Sequence, residues 1–128
     1  LISALQFVRG APLADAAPMQ WRWAEELRSD MSSLVRDIGV VLTRMALVDQ
    51  NVDLARWAAA RALVAAPDDE LLLRERVLTE QLAGNRAEVE RLCLRLASTA
   101  RSLGLDLADE TVIVMQEALE GRSRSRQA

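Results

Sequence analysis

Gln50-Asn51-Val52-Asp53-Leu54-Ala55 and Gly84-Asn85-Arg86-Ala87-Glu88-Val89 are the two stretches whose reading decides the fold. Each sets an asparagine, a residue suited to cap a helix N-terminus, just ahead of a helix-forming run. Asn51 and Asn85 lie 34 residues apart. The first run is rich in alanine, the second in leucine, and Pro67 makes a sharp stop between them. A recurrence of that length is the period of a repeated helix–turn–helix unit.

Working outward, a long helix is expected over residues 23–47. There Leu27, Met31, Leu34, Ile38, Val41, Leu42 and Met45 follow the spacing of a helix with one buried stripe. Gly39 within it costs roughly 1 kcal/mol against alanine and suits a close helix contact. Asn51 caps a helix over 52–65 in which small alanines favour close approach and Trp57 covers one end of the core. A helix over 69–83 is hard to phase, because Leu71, Leu72 and Leu73 cannot all face one core. Leu71, Leu78 and Leu82 make the expected stripe, with Arg74 and Arg76 at its edge. Gly84 ends it, and Asn85 with Glu88 has capping-box spacing. Val89, Leu92, Cys93, Leu96, Ala97, Ala100 and Leu103 then hold helical register up to Gly104. Asp109 is placed to cap a last helix to about residue 119, with Val112, Met115 and Leu119 inward. Before the long helix, residues 1–9 read as a short helix stopped by Gly10, and 11–19, with Pro12 and Pro18, as irregular chain.

No period near 2 is sustained, so the fold class is all-α: tetratricopeptide-like antiparallel helical hairpins, five to six helices. One domain is expected over 1–120, followed by a disordered Arg/Ser tail over 121–128. At 128 residues the chain is long enough for one core. No apolar run approaches the ~18 residues of a membrane span, so a cytoplasmic location and no membrane contact by these residues are expected. Residue 1 is Leu and no signal-peptide pattern occurs, so the chain reads as part of a longer protein.

All 16 basic residues are arginine, and net charge is −3. Setting aside Arg122, Arg124 and Arg126 leaves 13 arginines against 19 acids, an acidic body of about −6. Such a body is a poor match for nucleic acid, which is held by phosphate neutralisation. Direct nucleic-acid binding by these residues is therefore not expected. The lone Cys93 excludes an internal disulfide, and without histidine a zinc site lacks ligands. Nucleophilic catalysis lacks its usual base, and no glycine-rich phosphate loop occurs. The expectation is a non-enzyme with no catalytic, cofactor-binding or metal residues. Asp68-Asp69-Glu70 is explained by the helix dipole, and Cys93 by burial on an apolar stripe. The candidate partner-binding residues are Trp21 and Trp23, as interface anchors, and Arg36, Arg44, Arg74 and Arg76, as a lining of the first-helix side of the two units. Against this stands the simpler reading of the arginines as surface charges paired with nearby acids.

Several short motifs resemble the bacterial transcriptional activator domain, the tetratricopeptide-like domain of actinobacterial antibiotic regulatory proteins. They are Ala4-Leu5, Arg9-Gly10-Ala11-Pro12-Leu13, the alanine helix from Ala58 to Pro67, Glu70-Leu71-Leu72 and Leu103-Gly104-Leu105-Asp106. Trp23-Ala24 resembles a subgroup fused behind membrane and LysM segments, which implies a parent that can be membrane-anchored. Leu107 and Ala108 depart from the family, which usually carries proline there. The resemblance implies a regulatory module that binds a protein partner or self-associates as a homodimer. In true regulators a winged-helix DNA-binding domain precedes it; none is present in these residues, so DNA binding is carried over to no residue here.

Overall fold

The computed structural model describes residues 2–6 and 21–127, and for 21–23 and 122–127 only the run of the backbone. The described residues are all-α, without a strand. In chain order the helices are α1 (Ile2–Gln6), α2 (Trp21–Val48), α3 (Val52–Ala65), α4 (Glu70–Ala83), α5 (Arg86–Leu103) and α6 (Asp109–Gln127). The expectations for residues 7–20, including the Gly10 stop and the Pro12–Pro18 loop, lie outside the described residues.

The 34-residue recurrence is reproduced at atomic detail in the two turns that close α2 and α4. Gln50 N–H donates to the Leu47 carbonyl and Asn51 N–H to that of Ala46; shifted by 34 residues, Gly84 donates to Gln81 and Asn85 to Glu80. These are the paired bonds of a left-handed helix stop. The caps repeat too. Asn51 and Asn85 share nearly the same backbone angles (φ −91°, ψ 84° and φ −89°, ψ 84°), and each Oδ1 accepts the N–H three residues on. The one difference is at the left-handed position, where the second turn has Gly84 (φ 73°) and the first has Gln50 (φ 57°).

These turns fold α2 back on α3 and α4 back on α5. Ser32 Oγ donates to the Ala65 carbonyl, so the first half of α2 lies against the end of α3. Their seam is built of small residues. Ala55, Ala58, Ala59, Ala62 and Ala65 are all buried, and a Cβ at Gly39 would run into the Ala62 methyl and press on Leu72. The expected close contact at Gly39 is therefore the crossing point of α2 and α3. α4 touches α2, α3, α5 and α6. It runs parallel to α2, as Arg36–Asp69 and Arg44–Glu75 pairs show, and parallel to α6, which Glu70 and Gln81 meet at opposite ends.

That central place resolves the three leucines of α4. Leu72 enters a core lobe with Leu5, Val40, Leu42, Ala58 and Ala62. Leu73 and Val77 enter a second lobe with Val89, Leu92, Cys93, Leu96 and Ala118. Each fully buried leucine contributes roughly 1.5–3 kcal/mol. The expected stripe Leu71, Leu78 and Leu82 is thus corrected: Leu71 and Leu78 are half-buried and Leu82 is exposed. A helix packed on several sides has no single apolar face for periodicity to find.

Two further differences concern α6. It runs on to Gln127, well past residue 119. Asp109 lies in its first turn rather than capping it. The Ala108 carbonyl accepts the first bond, from Val112, and the cap is completed from another helix: Glu70 Oε1 accepts the Ala108 N–H (2.9 Å) and the Thr111 hydroxyl (2.5 Å). Of the inward residues expected on α6, Met115 and Leu119 do pack on the core, whereas Val112 is exposed.

Candidate interaction surface

The long helix α2 carries two apolar faces. The face against α3 and α4 includes Val40, Leu42, Thr43 and Ala46, all buried, with Gly39 at the crossing. The stripe of large residues expected to be buried instead points largely outward. Met31, Leu34, Val41, Met45 and Val48 are between 40 and 83% exposed, and Leu27 and Ile38 are half-buried. Leu42, also placed in that stripe, does enter the core. The physical reason is the alanine surface of α3. Small residues on both sides let the helix backbones approach closely, so the small-residue side of α2 packs inward and its bulkiest side is left over.

This outer row has a regular period. From Leu27 through Met31, Leu34, Ile38, Val41 and Met45 to Val48 the steps alternate four and three residues, the spacing of a helix made to pack along another helix. It runs about 32 Å at 1.5 Å rise per residue. Single exposed apolar residues are ordinary, whereas a contiguous row of them marks an interaction site. It also lies at one end of the helix stack, where stacked repeats normally present a polar capping face.

The four candidate arginines are placed on the sides of α2 and α4, and each has a contact within the chain. Arg36 pairs with Asp37 and with Asp69, the N-cap of α4. Arg44 Nε donates to the buried Glu75 at 2.8 Å. Arg74 reaches the Thr111 hydroxyl at 3.5 Å. These three lie between α2 and α4 or between α4 and α6. Arg76 points elsewhere, to Glu80 and to Glu88 of α5. The four do not form one cluster. Trp21 and Trp23 fall in the first turn of α2, and their side chains lie outside the described residues.

A network that the sequence reading did not single out centres on Glu80, which is buried. Arg56 of α3 clasps it with Nη2 at 2.6 Å from Oε1 and Nε at 2.9 Å from Oε2, and Arg76 adds a third contact. The hydrogen bond to Glu80 raises the Arg56 pKa further above its ordinary value. Glu88, two-pronged to Arg91, is held below the ordinary carboxylate range, first by that hydrogen bond. Both buried acids, Glu75 and Glu80, are therefore engaged by arginines that tie α2 and α3 to α4. Removing Arg44 leaves a buried carboxylate without its cation, whereas Glu80 keeps Arg76 when Arg56 is removed. The signal in the sequence is weak: Glu75 and Glu80 look like any helix-surface acids until neighbours enclose α4.

A cleft of about 610 Å³ lies where the α4–α5 turn meets α6, lined in part by Gln81, Asn85, Val89 and Gly121. Its charged lining residues, Glu80 and Arg86, are paired with Arg56 and Glu90 respectively. Cys93 is buried, and burial pushes its thiol up from the ordinary value, the condition of an inert side chain. Among the described residues no group of three or more potential metal ligands occurs and no helix is long and apolar enough to cross a membrane. Comparison of the chain with known protein families, with curated proteins and with solved structures finds no match.

Proposed function

We propose that this chain is a non-catalytic protein-interaction module, a regulatory part of a larger actinobacterial regulator-like protein. The observation that carries the reading is the outer row of α2, a long apolar helix face that stays exposed among the described residues while Gly39 and Ala46 turn toward the alanines of α3. The site it offers takes an apolar helix from a protein partner. The motif resemblance to the bacterial transcriptional activator domain supports the regulatory half of the reading.

Site-specific photocrosslinking in the parent protein tests it. A photoreactive residue at Leu34 or Val41 is expected to give discrete protein adducts at micromolar concentration. The same residue at Leu94, exposed on α5, is expected to give none. Equal or absent adducts at all three positions overturn the reading.

A second reading, a part of a DNA-binding activator with its DNA-binding domain outside these residues, rests on the same motifs and on Arg122, Arg124 and Arg126. It predicts salt-sensitive DNA binding that disappears when residues 121–128 are deleted.

A further inference from the structure

We infer that the partner on the outer row of α2 is the α2 of a second copy of this chain, packed antiparallel about a two-fold axis. This rests on the docking reading above and names its occupant. The first argument is the period. Alternating steps of four and three sustained for just over three heptads specify a helix, running along the whole row, as the complement. The row is also pre-organised: α2 is already helical and braced by α3 and α4, so little ordering is lost on association.

The second argument is charge. Immediately before Met31, Ile38 and Met45, and so along one flank of the row, stand Asp30, Asp37 and Arg44. This flank is acidic toward the N-terminal end and basic toward the C-terminal end. Reversing a second copy lays the same flank against itself. With Leu34 packed beside Ile38 of the second copy, and Met31 beside its Val41, each Asp30 meets an Arg44 whose Nε holds Glu75 but whose side chain is still more than half exposed. A two-fold pair makes that contact twice, which is the self-complementarity of an isologous interface. The two Asp37 carboxylates approach at the axis, where each has Arg36 Nε at 3.1 Å. A parallel pair would instead set Asp30 and Asp37 against the positions of Val35 and Leu42, residues turned toward their own core. It would also align the two helix dipoles, which the antiparallel pair opposes.

Sedimentation equilibrium of the chain from about 1 to 100 µM is expected to show a shift from 14.2 kDa to twice that mass. The double variant Leu34→Asp/Val41→Asp, at positions the folded monomer leaves exposed, is expected to remain monomeric with an unchanged helical circular dichroism spectrum. Asp30→Arg is expected to weaken the dimer about tenfold. Oxidation of Asp37→Cys is expected to give a covalent dimer, because residue 37 faces its copy across the axis. Met31→Cys is expected not to, because antiparallel packing holds its two copies apart. The reverse crosslinking pattern overturns the antiparallel pairing. A wild-type chain monomeric throughout overturns the second-copy inference, yet the docking reading stands if Leu34 and Val41 still crosslink to a different protein.

Discussion

At the residue scale, the structure pairs two positions that differ in residue type and share one backbone demand. Gln50 and Gly84 occupy the same left-handed site in equivalent turns, yet only one is glycine. A side chain there carries a steric penalty of roughly 1–2 kcal/mol, offset in part by the entropy glycine loses on folding. Gln50→Gly is therefore expected to stabilise the fold by about 0.5–1 kcal/mol in urea denaturation. Gly39 gives the opposite case. Alanine there gains helix propensity, about 1 kcal/mol, but its methyl meets Ala62 at a backbone-close crossing. Gly39→Ala is expected to destabilise by about 1–3 kcal/mol net, read in the same assay. Glu88 supplies a pH dependence. Its folded pKa is depressed, so the stability it contributes is present above its unfolded pKa and is lost as pH falls through the folded one. Glu88→Gln is expected to leave a shallower acid limb in stability measured against pH, with the difference confined to that window.

At the element scale, the helices differ in how much of their fate is local. α3 and α5 carry their caps, stops and buried faces within their own sequence, and their bounds agree with the expected ones within a residue or two. α6 does not. Its first turn borrows Glu70 from α4, a residue 38 positions upstream of Ala108. Glu70→Ala removes the acceptor for the Ala108 N–H and the Thr111 hydroxyl, a loss comparable to that of an N-cap at about 1 kcal/mol. Hydrogen exchange is expected to quicken at the amides of Ala108 to Val112 more than in α3. Equal effects in both helices would show that α6 is capped by other means. The long helix α2 shows the converse limit of local reading. Its periodicity was legible, and so was its length, but the legible stripe was the outer one. Hydrophobic spacing measures which residues could pack together along one side of a helix. It does not say whether that side meets its own chain or another.

At the scale of the whole molecule, a small helical stack with an apolar end gains stability from whatever covers that end. If the cover is a second copy, folding and association are linked by mass action. The midpoint of thermal unfolding is then expected to rise by several degrees between about 1 and 100 µM chain, and to stay constant for Leu34→Asp/Val41→Asp. A wild-type midpoint independent of concentration would contradict the linkage.

By itself, the sequence determined the all-α class, the 34-residue recurrence, the asparagine caps and the apolar stripe of α5 that carries Cys93. Each follows from interactions between residues near in sequence or from the size of a single side chain. Only the tertiary structure decided which face of α2 turns inward, how Leu72 and Leu73 divide between two core lobes, and that Glu75 and Glu80 become buried partners of Arg44 and Arg56. Those outcomes depend on which helices surround α4 and how closely alanine lets α3 approach α2. They are properties of neighbours distant in sequence, and no spacing along one helix contains them.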